Sequence, residues 1–315
     1  MNLEWLIHPV SKETFVEEYL EKKPLVVKRN DPHYFNRLMS LEDIDVVLER
    51  GSISGRVEIT MPNAQKKIPA AEYLNSQHSK NVVIRKGFNV SKMEQLYMQE
   101  KATILINASQ YEWPALERLL ETINNDLKTT SGANIFITPA QAQCFPAHFD
   151  EHDLFIIQIA GKKRWRIYES ALYLPTQPQG GRVFDFSKLN LLYDLDIEAG
   201  DIVYFPRGFV HEVITTDSMS AHITLGCMHT TWLSVVAAYI RQLAEEEPLL
   251  RGAYMKDILC QGEARKKIIE CLKQKFTHNL PLDVLAKIKP ADAERSPVRA
   301  TFQFTKHDLV NSERL

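Results

Sequence analysis

The chain has 315 residues, of which 44% are hydrophobic and 25% are charged, so it can bury the core of one large domain or of two modest ones. Its formal net charge of −2 gives the whole chain no electrostatic bias toward nucleic acid or anionic membranes. Its four cysteines contain no CxxC pair, which argues against a zinc ribbon and favours the reducing cytoplasm, and no stretch approaches the roughly 18 apolar residues of a membrane span.

Residues 1 to about 130 mix helical and strand-like segments. SKETFVEEYLEKKP predicts an amphipathic helix that ends before Pro24, and PLVVKR follows it as a short strand. Ser40 and Asp43 in SLEDIDVVLE have the spacing of a capping box, which predicts that a helix begins there. WPALERLLETINNDL, which starts at Trp113, predicts another helix.

The hydrophobic pattern changes its period between about residues 132 and 230. Short segments rich in β-branched and aromatic residues follow one another there, many of them separated by turn residues such as Gly161 and Gly200: NIFIT, LFIIQI, RWRIY, YDLDI, IVYFP, HEVIT and HITLG. Many short strands at close spacing predict a sandwich or barrel. We therefore expect a first domain over 1–230 with a barrel core at about 132–230.

The pattern becomes helical again in WLSVVAAYIRQLAEEE, EARKKIIECLKQKF and PLDVLAKI, which predicts a helical module over 231–315. The first of these helices carries an apolar stripe at three-to-four spacing, formed by Leu233, Val236, Ala237, Ile240 and Leu243. Such a stripe packs either against the chain's own barrel or against a second copy.

The segment PAHFDEHDLF concentrates coordinating side chains next to the apolar run LFIIQIAG. His148 and Asp150 are two residues apart, so on a strand both side chains point to one face. A carboxylate that faces a barrel interior needs a partner, which a metal ion provides. His211 in YFPRGFVHEV follows a Pro-Arg-Gly turn and is the candidate for a third ligand. Two histidines and one carboxylate suit non-haem Fe(II), and the same set also binds catalytic zinc.

Other interpretations of these residues stay open. His152 shares the face of His148 in an ideal strand and is a rival ligand, and so is Asp153 if the strand is bulged. His222 in AHITLG fits a core histidine that is satisfied by hydrogen bonds. Arg207 either binds a substrate or caps its turn.

The alternation of KKRWRIY after Gly161 places Lys163 on the inward face, together with Trp165 and Ile167. A buried ammonium needs an anion. A dicarboxylate cosubstrate provides one if one end chelates the metal and the far carboxylate pairs with the lysine. The alternatives are that Lys163 bonds a glutamate or extends along apolar surface to the barrel rim.

The stretch NIFITPAQAQCFPAHFDEHDLFIIQIAGKKRWRIYES, together with IEAGDIVYFPRGFVHEV and SAHITLG, resembles the JmjC-type, cupin-fold ribosomal oxygenases. EYLEKKPLVVKRNDPHYFNRLMSLEDID resembles the opening of the same family. The resemblance implies a mainly β fold with α elements. Its centre is a double-stranded β-helix, the cupin or JmjC jelly roll, flanked by an N-terminal mixed region and a C-terminal helical module.

Members of this family are Fe(II)- and 2-oxoglutarate-dependent hydroxylases of protein side chains, which consume O2. The resemblance assigns metal binding to His148, Asp150 and His211, the 2-oxoglutarate cation to Lys163, and a cosubstrate contact to Asn134. It also implies that the helical module mediates a homodimer.

Three features depart from the family pattern. Phe136 stands where relatives often have a tyrosine that touches 2-oxoglutarate, and Gly226 stands near the place of a common serine. The final segment SPVRATFQFTKHDLVNSERL is too short for the complete winged helix that follows the dimerisation module in the family. The resemblance therefore predicts a less polar cosubstrate pocket and leaves the choice of substrate open.

Together, the residues and the resemblance predict a cytoplasmic dioxygenase that hydroxylates a side chain of a protein or peptide. A ribosomal protein is the first candidate substrate, and we expect no direct contact with nucleic acid or membranes. The polar segment YLPTQPQGGRVFDFS is expected to form one lip of a groove that admits a peptide. The alternatives are a hydroxylase of a small molecule or natural-product peptide, a lysine demethylase, and a non-catalytic or zinc cupin that binds a ligand.

Overall fold

The structure is a computed structural model that describes residues 1–79, 82–176, 185, 188–255 and 262–276. These residues belong to two compact units, one that spans Met1–His229 and one that begins at Thr230. The predicted helix PLDVLAKI, the tail SPVRATFQFTKHDLVNSERL and most of the predicted groove segment YLPTQPQGGRVFDFS lie outside the described residues.

Helices and short strands form the first part of the first unit. They are α1 (Leu3–Ile7), α2 (Lys12–Glu18), β1 (Leu25–Val27), α3 (Leu41–Ser54), β2 (Glu58–Thr60), β3 (Leu74–Ser79), β4 (Val82–Phe88), α4 (Val90–Met98), β5 (Ile104–Asn107) and α5 (Pro114–Leu127). The predicted capping box of α3 is confirmed, because Ser40 Oγ accepts the Asp43 N–H while the Asp43 carboxylate accepts the Ser40 N–H. The predicted helices α2 and α5 and the strand β1 are confirmed as well.

Six further strands build the barrel: β6 (Thr129–Thr138), β7 (Asp153–Ser170), β8 (Leu191–Glu198), β9 (Ile202–Phe205), β10 (Phe209–Ile214) and β11 (Ser220–His229). The main path of the antiparallel sheet runs β1-β9-β7-β11-β6-β5-β2, and β8 and β10 pair with the second half of β7. The long strand β7 thus pairs with β9 and β11 in its first half and with β8 and β10 in its second. The predicted mainly β barrel with flanking helices is confirmed.

The two faces of the curved sheet bury different sets of side chains. On β7, Phe155 faces the helix-covered core, where its ring lies 5.6 Å from that of Phe15 on α2. The neighbouring Leu154 and Ile156 belong to a second cluster inside the barrel, which also contains Trp165. This alternation with a period of two gives the barrel a dry interior wall.

Gly161 does not form the turn that the sequence predicted, because it lies inside the continuous strand β7. Its φ of +62° belongs to the left-handed region that glycine tolerates, and a Cβ there would lie 2.0 Å from the carbonyl oxygen of Met219. The register with β11 shifts close to this point, because Ala221 pairs with Ala160 whereas His222 pairs with Gln158. The strand therefore continues through an irregularity, and the alternation that follows Gly161 is preserved.

The second unit contains α6 (Trp232–Glu246), a 3-10 turn (Pro248–Arg251) and α7 (Glu263–Phe276). Tyr239 and Leu243 form a buried apolar cluster, and Leu272 of α7 packs against them. The predicted apolar stripe of α6 is only partly buried, because Leu233 and Ile240 are 64% and 37% exposed. None of the helices in the described ranges is long and apolar enough to span a membrane.

Candidate active site

Three side chains with metal-ligating groups converge inside the barrel, and we call them the metal triad: His148, Asp150 and His211. His148 and Asp150 lie in the segment between β6 and β7, whereas His211 lies on β10. The backbones of His148 and His211 pair as an isolated antiparallel bridge with N···O distances of 3.1 and 2.9 Å. The carbonyl of Asp150 accepts the N–H of Gly208 at 2.9 Å, so the Pro-Arg-Gly turn fixes the second ligand candidate as well.

The distances within the metal triad fit a single ion. Asp150 Oδ2 lies 3.9 Å from His148 Nε2 and 3.7 Å from His211 Nε2, and one ligand atom of each residue lies within 4.8 Å of the others. Two ligand atoms that each bind a metal at about 2.1 Å are at most about 4.2 Å apart, so a small movement closes the set around a metal. Nδ1 of His148 lies 2.8 Å from the carbonyl oxygen of Pro146, so a proton on Nδ1 leaves the Nε2 lone pair for a metal.

The electrostatics of the metal triad favour a cation. Burial lowers the pKa of His211 to about 3, with a further decrease caused by His148, so its imidazole is neutral at physiological pH. Burial by itself raises the pKa of the Asp150 carboxyl, but His148, His152 and His211 reverse this effect and the pKa is lower than usual. The ion-pair contacts of Asp150 in the described ranges are with histidines rather than with lysine or arginine. A divalent metal is therefore the partner that the chemistry of this donor set fits, with Fe(II) or zinc as the suitable ions.

Asp153, the alternative metal ligand, contacts a different set of residues. Its carboxylate is fully buried and accepts hydrogen bonds from the Tyr204 hydroxyl at 2.6 Å and the Arg207 N–H at 3.0 Å. His229 Nε2 lies 3.0 Å from it, and the Arg207 side chain pairs with Glu21 at 2.6 Å. Arg207 thus links its turn to Asp153 and Glu21.

Sequence analysis found no role for His229. A signal was available, because His229 follows Ile223, Leu225 and Cys227 on the apolar face of β11, where a polar ring needs a buried partner. Only the pairing of β11 with β7, in which Cys227 lies opposite Asp153, identifies that partner.

Lys163 is 2% exposed on the inward face of β7, beside the buried Trp165 and Ile167, which confirms the predicted alternation. Its ammonium donates to Thr138 Oγ1 at 2.8 Å and lies 3.3 Å from Nδ1 of His222. Burial lowers the pKa of Lys163 to about 8. It forms no ion pair with a glutamate in the part of the chain that the structure describes, and it does not reach the rim.

The lysine and the metal triad line the same interior. The ring of Trp165 lies 6.0 Å from the ring of His211 and 6.0 Å from that of His222, which contacts Lys163. His222 is 4% exposed and stacks on Phe136 at 4.7 Å, so it is a core histidine with a polar contact. A ligand carboxylate at Lys163 would supply the missing anion and neutralise an ammonium that is otherwise held by neutral groups.

Asn134 lies on the same face of β6 as Phe136 and Thr138. Its side-chain oxygen accepts the N–H of Ala108 at 3.1 Å and so holds the segment that follows β5. This bond engages the oxygen of the amide and leaves its NH2 group as the donor for a ligand.

Comparisons with known proteins identify the domain and its relatives. Residues 106–235 match the JmjC domain. The bifunctional lysine-specific demethylase and histidyl-hydroxylase NO66 of Drosophila mojavensis is 33% identical over 229 residues, which are 71% of this chain and 24% of that protein. Ribosomal oxygenase 2 of Mus musculus is 30% identical over 275 residues, which are 82% of this chain and 55% of that protein.

A solved structure shows the fold. The X-ray structure of E. coli ycfD has a TM-score of 0.50 and 20% sequence identity, and the match covers 78% of this chain and 59% of that chain. The chain spans about a quarter of the Drosophila protein and about half of the mouse protein. The match to the JmjC domain and the identities to these two proteins show that the chain contains a JmjC domain and is a homologue of the ribosomal oxygenases.

Proposed function

We propose that this protein is an Fe(II)- and 2-oxoglutarate-dependent oxygenase that hydroxylates a side chain of a protein or peptide. The observation that carries the proposal is that one barrel interior contains both a set of metal-ligating groups and a buried ammonium. The metal triad offers a carboxylate and two imidazoles to a cation, and Lys163 offers a buried ammonium to an anion. A metal ion chelated by a dicarboxylate fits both.

The metal triad would hold the iron, and Fe(II) together with 2-oxoglutarate supplies the oxidising chemistry that transfers one oxygen atom from O2 to the substrate. A two-histidine, one-carboxylate set leaves coordination positions open for the cosubstrate and O2. Lys163 would bind the far carboxylate of 2-oxoglutarate, next to the Thr138 hydroxyl that accepts a hydrogen bond from the ammonium. Asn134 contributes its amide donors on the same inward face.

The remaining walls exclude water. Leu154, Ile156, Val203 and Phe205 form an apolar cluster with Trp165 inside the barrel, and each is almost fully buried. A dry wall strengthens the contact between Lys163 and a carboxylate, because low local polarity increases electrostatic interactions. It also protects a reactive centre from unproductive reactions with solvent.

The names of the relatives support a protein substrate. One relative is called a histidyl-hydroxylase and another a ribosomal oxygenase, so a side chain of a ribosomal protein is the first candidate. Because the first name also includes a lysine-specific demethylase, formaldehyde release is measured in parallel. The net charge of −2 favours a substrate reached without general attraction to nucleic acid.

The test of this proposal is incubation of the purified protein with Fe(II), 2-oxoglutarate, ascorbate and ribosomal proteins, followed by mass spectrometry. The proposal predicts succinate formation coupled to the gain of one oxygen atom on a single side chain. Efficient hydroxylation of a free amino acid or metabolite, with no reaction on any protein or peptide, would establish the small-molecule alternative. Tight zinc binding without 2-oxoglutarate turnover in any metal state would establish the binding-protein alternative.

The assembly and the cellular location belong to the same proposal. We expect a homodimer formed through the helical module, because Trp232, Leu233 and Ile240 leave large apolar side chains exposed on α6. We also propose that the chain divides at residue 230 into an oxygenase domain over 1–230 and a dimerisation module over 231–315. We expect the protein in the cytoplasm, where the free cysteines Cys144 and Cys227 remain reduced.

A further inference from the structure

His152 occupies a place inside the barrel that one glycine makes available. Its ring lies over Gly226 on β11, so that a Cβ built on Gly226 would be 2.7 Å from Cδ2 and 2.8 Å from Nε2 of the imidazole. Any side chain at position 226 would therefore displace the ring. The position of the His152 ring therefore depends on the absence of a side chain at Gly226.

This position faces the interior that contains the metal triad. Along β11, Ile223 and Leu225 belong to the helix-covered core, so Gly226 lies on the opposite face with His222 and Thr224. His152 is two residues from Asp150, which is one of the triad residues. His152 is nevertheless outside the set of three whose ligand atoms lie within 4.8 Å of one another, so it borders the metal triad without belonging to it.

His152 lies over a part of β11 that is away from the proposed cosubstrate cation. His222, which contacts Lys163, is four residues from Gly226 along β11, a separation of about 13 Å along a strand. Lys163 and His222 are 2% and 4% exposed, whereas the Asp150 side chain is 19% exposed. The partly exposed His152, two residues from Asp150, would border the route of a substrate that enters from the more exposed side.

The ring nitrogens of His152 are available to such a substrate. They have no hydrogen-bond partner among the residues that the structure describes, although the ring is partly buried. A side chain that served only to fill space over Gly226 would not need these two polar atoms. An imidazole offers one donor and one acceptor, so it can bind an amide, a hydroxyl or another imidazole.

We propose that His152 is a specificity-determining residue whose imidazole, seated over Gly226, hydrogen-bonds a polar group of the substrate residue presented to the metal. The inference rests on the proposed hydroxylase function. It predicts that substrates carry a hydrogen-bonding group next to the carbon that is hydroxylated. It also predicts that a change at either His152 or Gly226 affects the substrate more than the metal or the cosubstrate.

Two variants separate the polar role of His152 from its packing role. His152→Phe keeps an aromatic ring over Gly226 and removes both nitrogens. Gly226→Ala keeps the imidazole and displaces it. The exposed His33 provides the control variant His33→Ala. Affinities for Co(II) and 2-oxoglutarate are measured by calorimetry without substrate, and kcat/KM is measured on a protein that the wild type hydroxylates, with thermal unfolding as the check on folding.

We expect His152→Phe and Gly226→Ala each to lower kcat/KM by about fivefold or more, the equivalent of one lost hydrogen bond. The double variant should be no worse than the poorer single variant, because both changes remove the same contact. Affinities for Co(II) and 2-oxoglutarate should stay within about twofold of wild type, because neither ligand needs the imidazole.

An unchanged kcat/KM in folded His152→Phe would overturn the inference and leave the proposed function intact. A large loss of Co(II) affinity in that variant would also overturn it, because His152 would then act on the metal. If Gly226→Ala does not fold, His152→Phe alone decides. A wild-type protein that binds Co(II) and 2-oxoglutarate but hydroxylates no protein or peptide would overturn the proposed function, and the inference with it.

Discussion

Lys163→Ala is the substitution with the most direct consequence for the proposed cosubstrate. The Lys163 ammonium is 2% exposed and its contacts, Thr138 and His222, are neutral groups. A charge-assisted hydrogen bond in such a setting contributes about 1.5–3 kcal/mol, so the variant should bind 2-oxoglutarate roughly 10- to 150-fold more weakly. The control is Lys162→Ala, which removes the same charge from the outward face, where Lys162 lies 3.5 Å from Asp217.

The pKa of about 8 gives this prediction a pH dependence. Below pH 8 the ammonium is charged before the ligand arrives, whereas above it 2-oxoglutarate binds only with uptake of a proton. Wild-type affinity should therefore fall as the pH rises above about 8, and the affinity of Lys163→Ala should not show this decrease.

The lowered pKa of Lys163 also affects the stability of the ligand-free protein. A lysine whose pKa is lowered by folding destabilises the fold below its folded pKa of about 8, and this penalty disappears as the pH approaches the ordinary value of 10.5. Lys163→Met should therefore increase the free energy of unfolding at pH 7 by about 1–3 kcal/mol, after the loss of two hydrogen bonds is counted. The variant would be more stable and yet inactive.

The assay is calorimetric titration of 2-oxoglutarate into the Co(II)-loaded protein at pH 7 and pH 9, with urea unfolding of the metal-free protein in parallel. Equal losses of affinity in Lys162→Ala and Lys163→Ala would refute the assignment of the inward face. A loss in Lys163→Ala that is accompanied by unfolding would show that the lysine supports the barrel instead of the ligand.

Further predictions concern the metal, the buried carboxylate and the assembly. Alanine at any one residue of the metal triad should reduce Co(II) affinity by at least about tenfold without unfolding the protein, measured by calorimetry, and retained affinity in all three variants would refute the site. Asp153→Ala should lower the free energy of unfolding by about 3–5 kcal/mol in urea denaturation, because the Tyr204 hydroxyl, the Arg207 N–H and His229 would lose their buried partner. Selective metal loss at unchanged stability would instead make Asp153 a ligand. Leu233→Glu combined with Ile240→Glu should convert a dimer into monomers in sedimentation at micromolar concentration, and a monomeric wild type would contradict the proposed dimer.

Local patterns in the sequence correctly predicted those features that depend only on a residue's own strand or helix. The alternation after Gly161 predicted that Lys163, Trp165 and Ile167 face inward, and their burial confirms it. The capping box at Ser40 predicted where α3 begins. These inferences succeed because the periods of strands and helices are properties of the local backbone.

Local patterns could not decide which of several neighbouring side chains belong to the metal triad. His148, His152 and Asp153 lie within six residues, and their types alone allow each to bind a metal. The backbone bridge from His148 to His211 and the hydrogen bond from Gly208 to Asp150 select one set. Asp153 is instead paired with Tyr204 and His229, which lie far along the chain.

The sequence by itself therefore determined the class of fold, the inward lysine and the types of ligand available, because composition and periodicity depend on neighbouring residues. Only the tertiary structure decided which ligands meet, that Gly161 continues a strand instead of ending it, and that Gly226 makes room for the His152 ring. These outcomes depend on the register between strands that are distant in the sequence. A shift of one residue in that register would turn each of these side chains to the other face of the sheet.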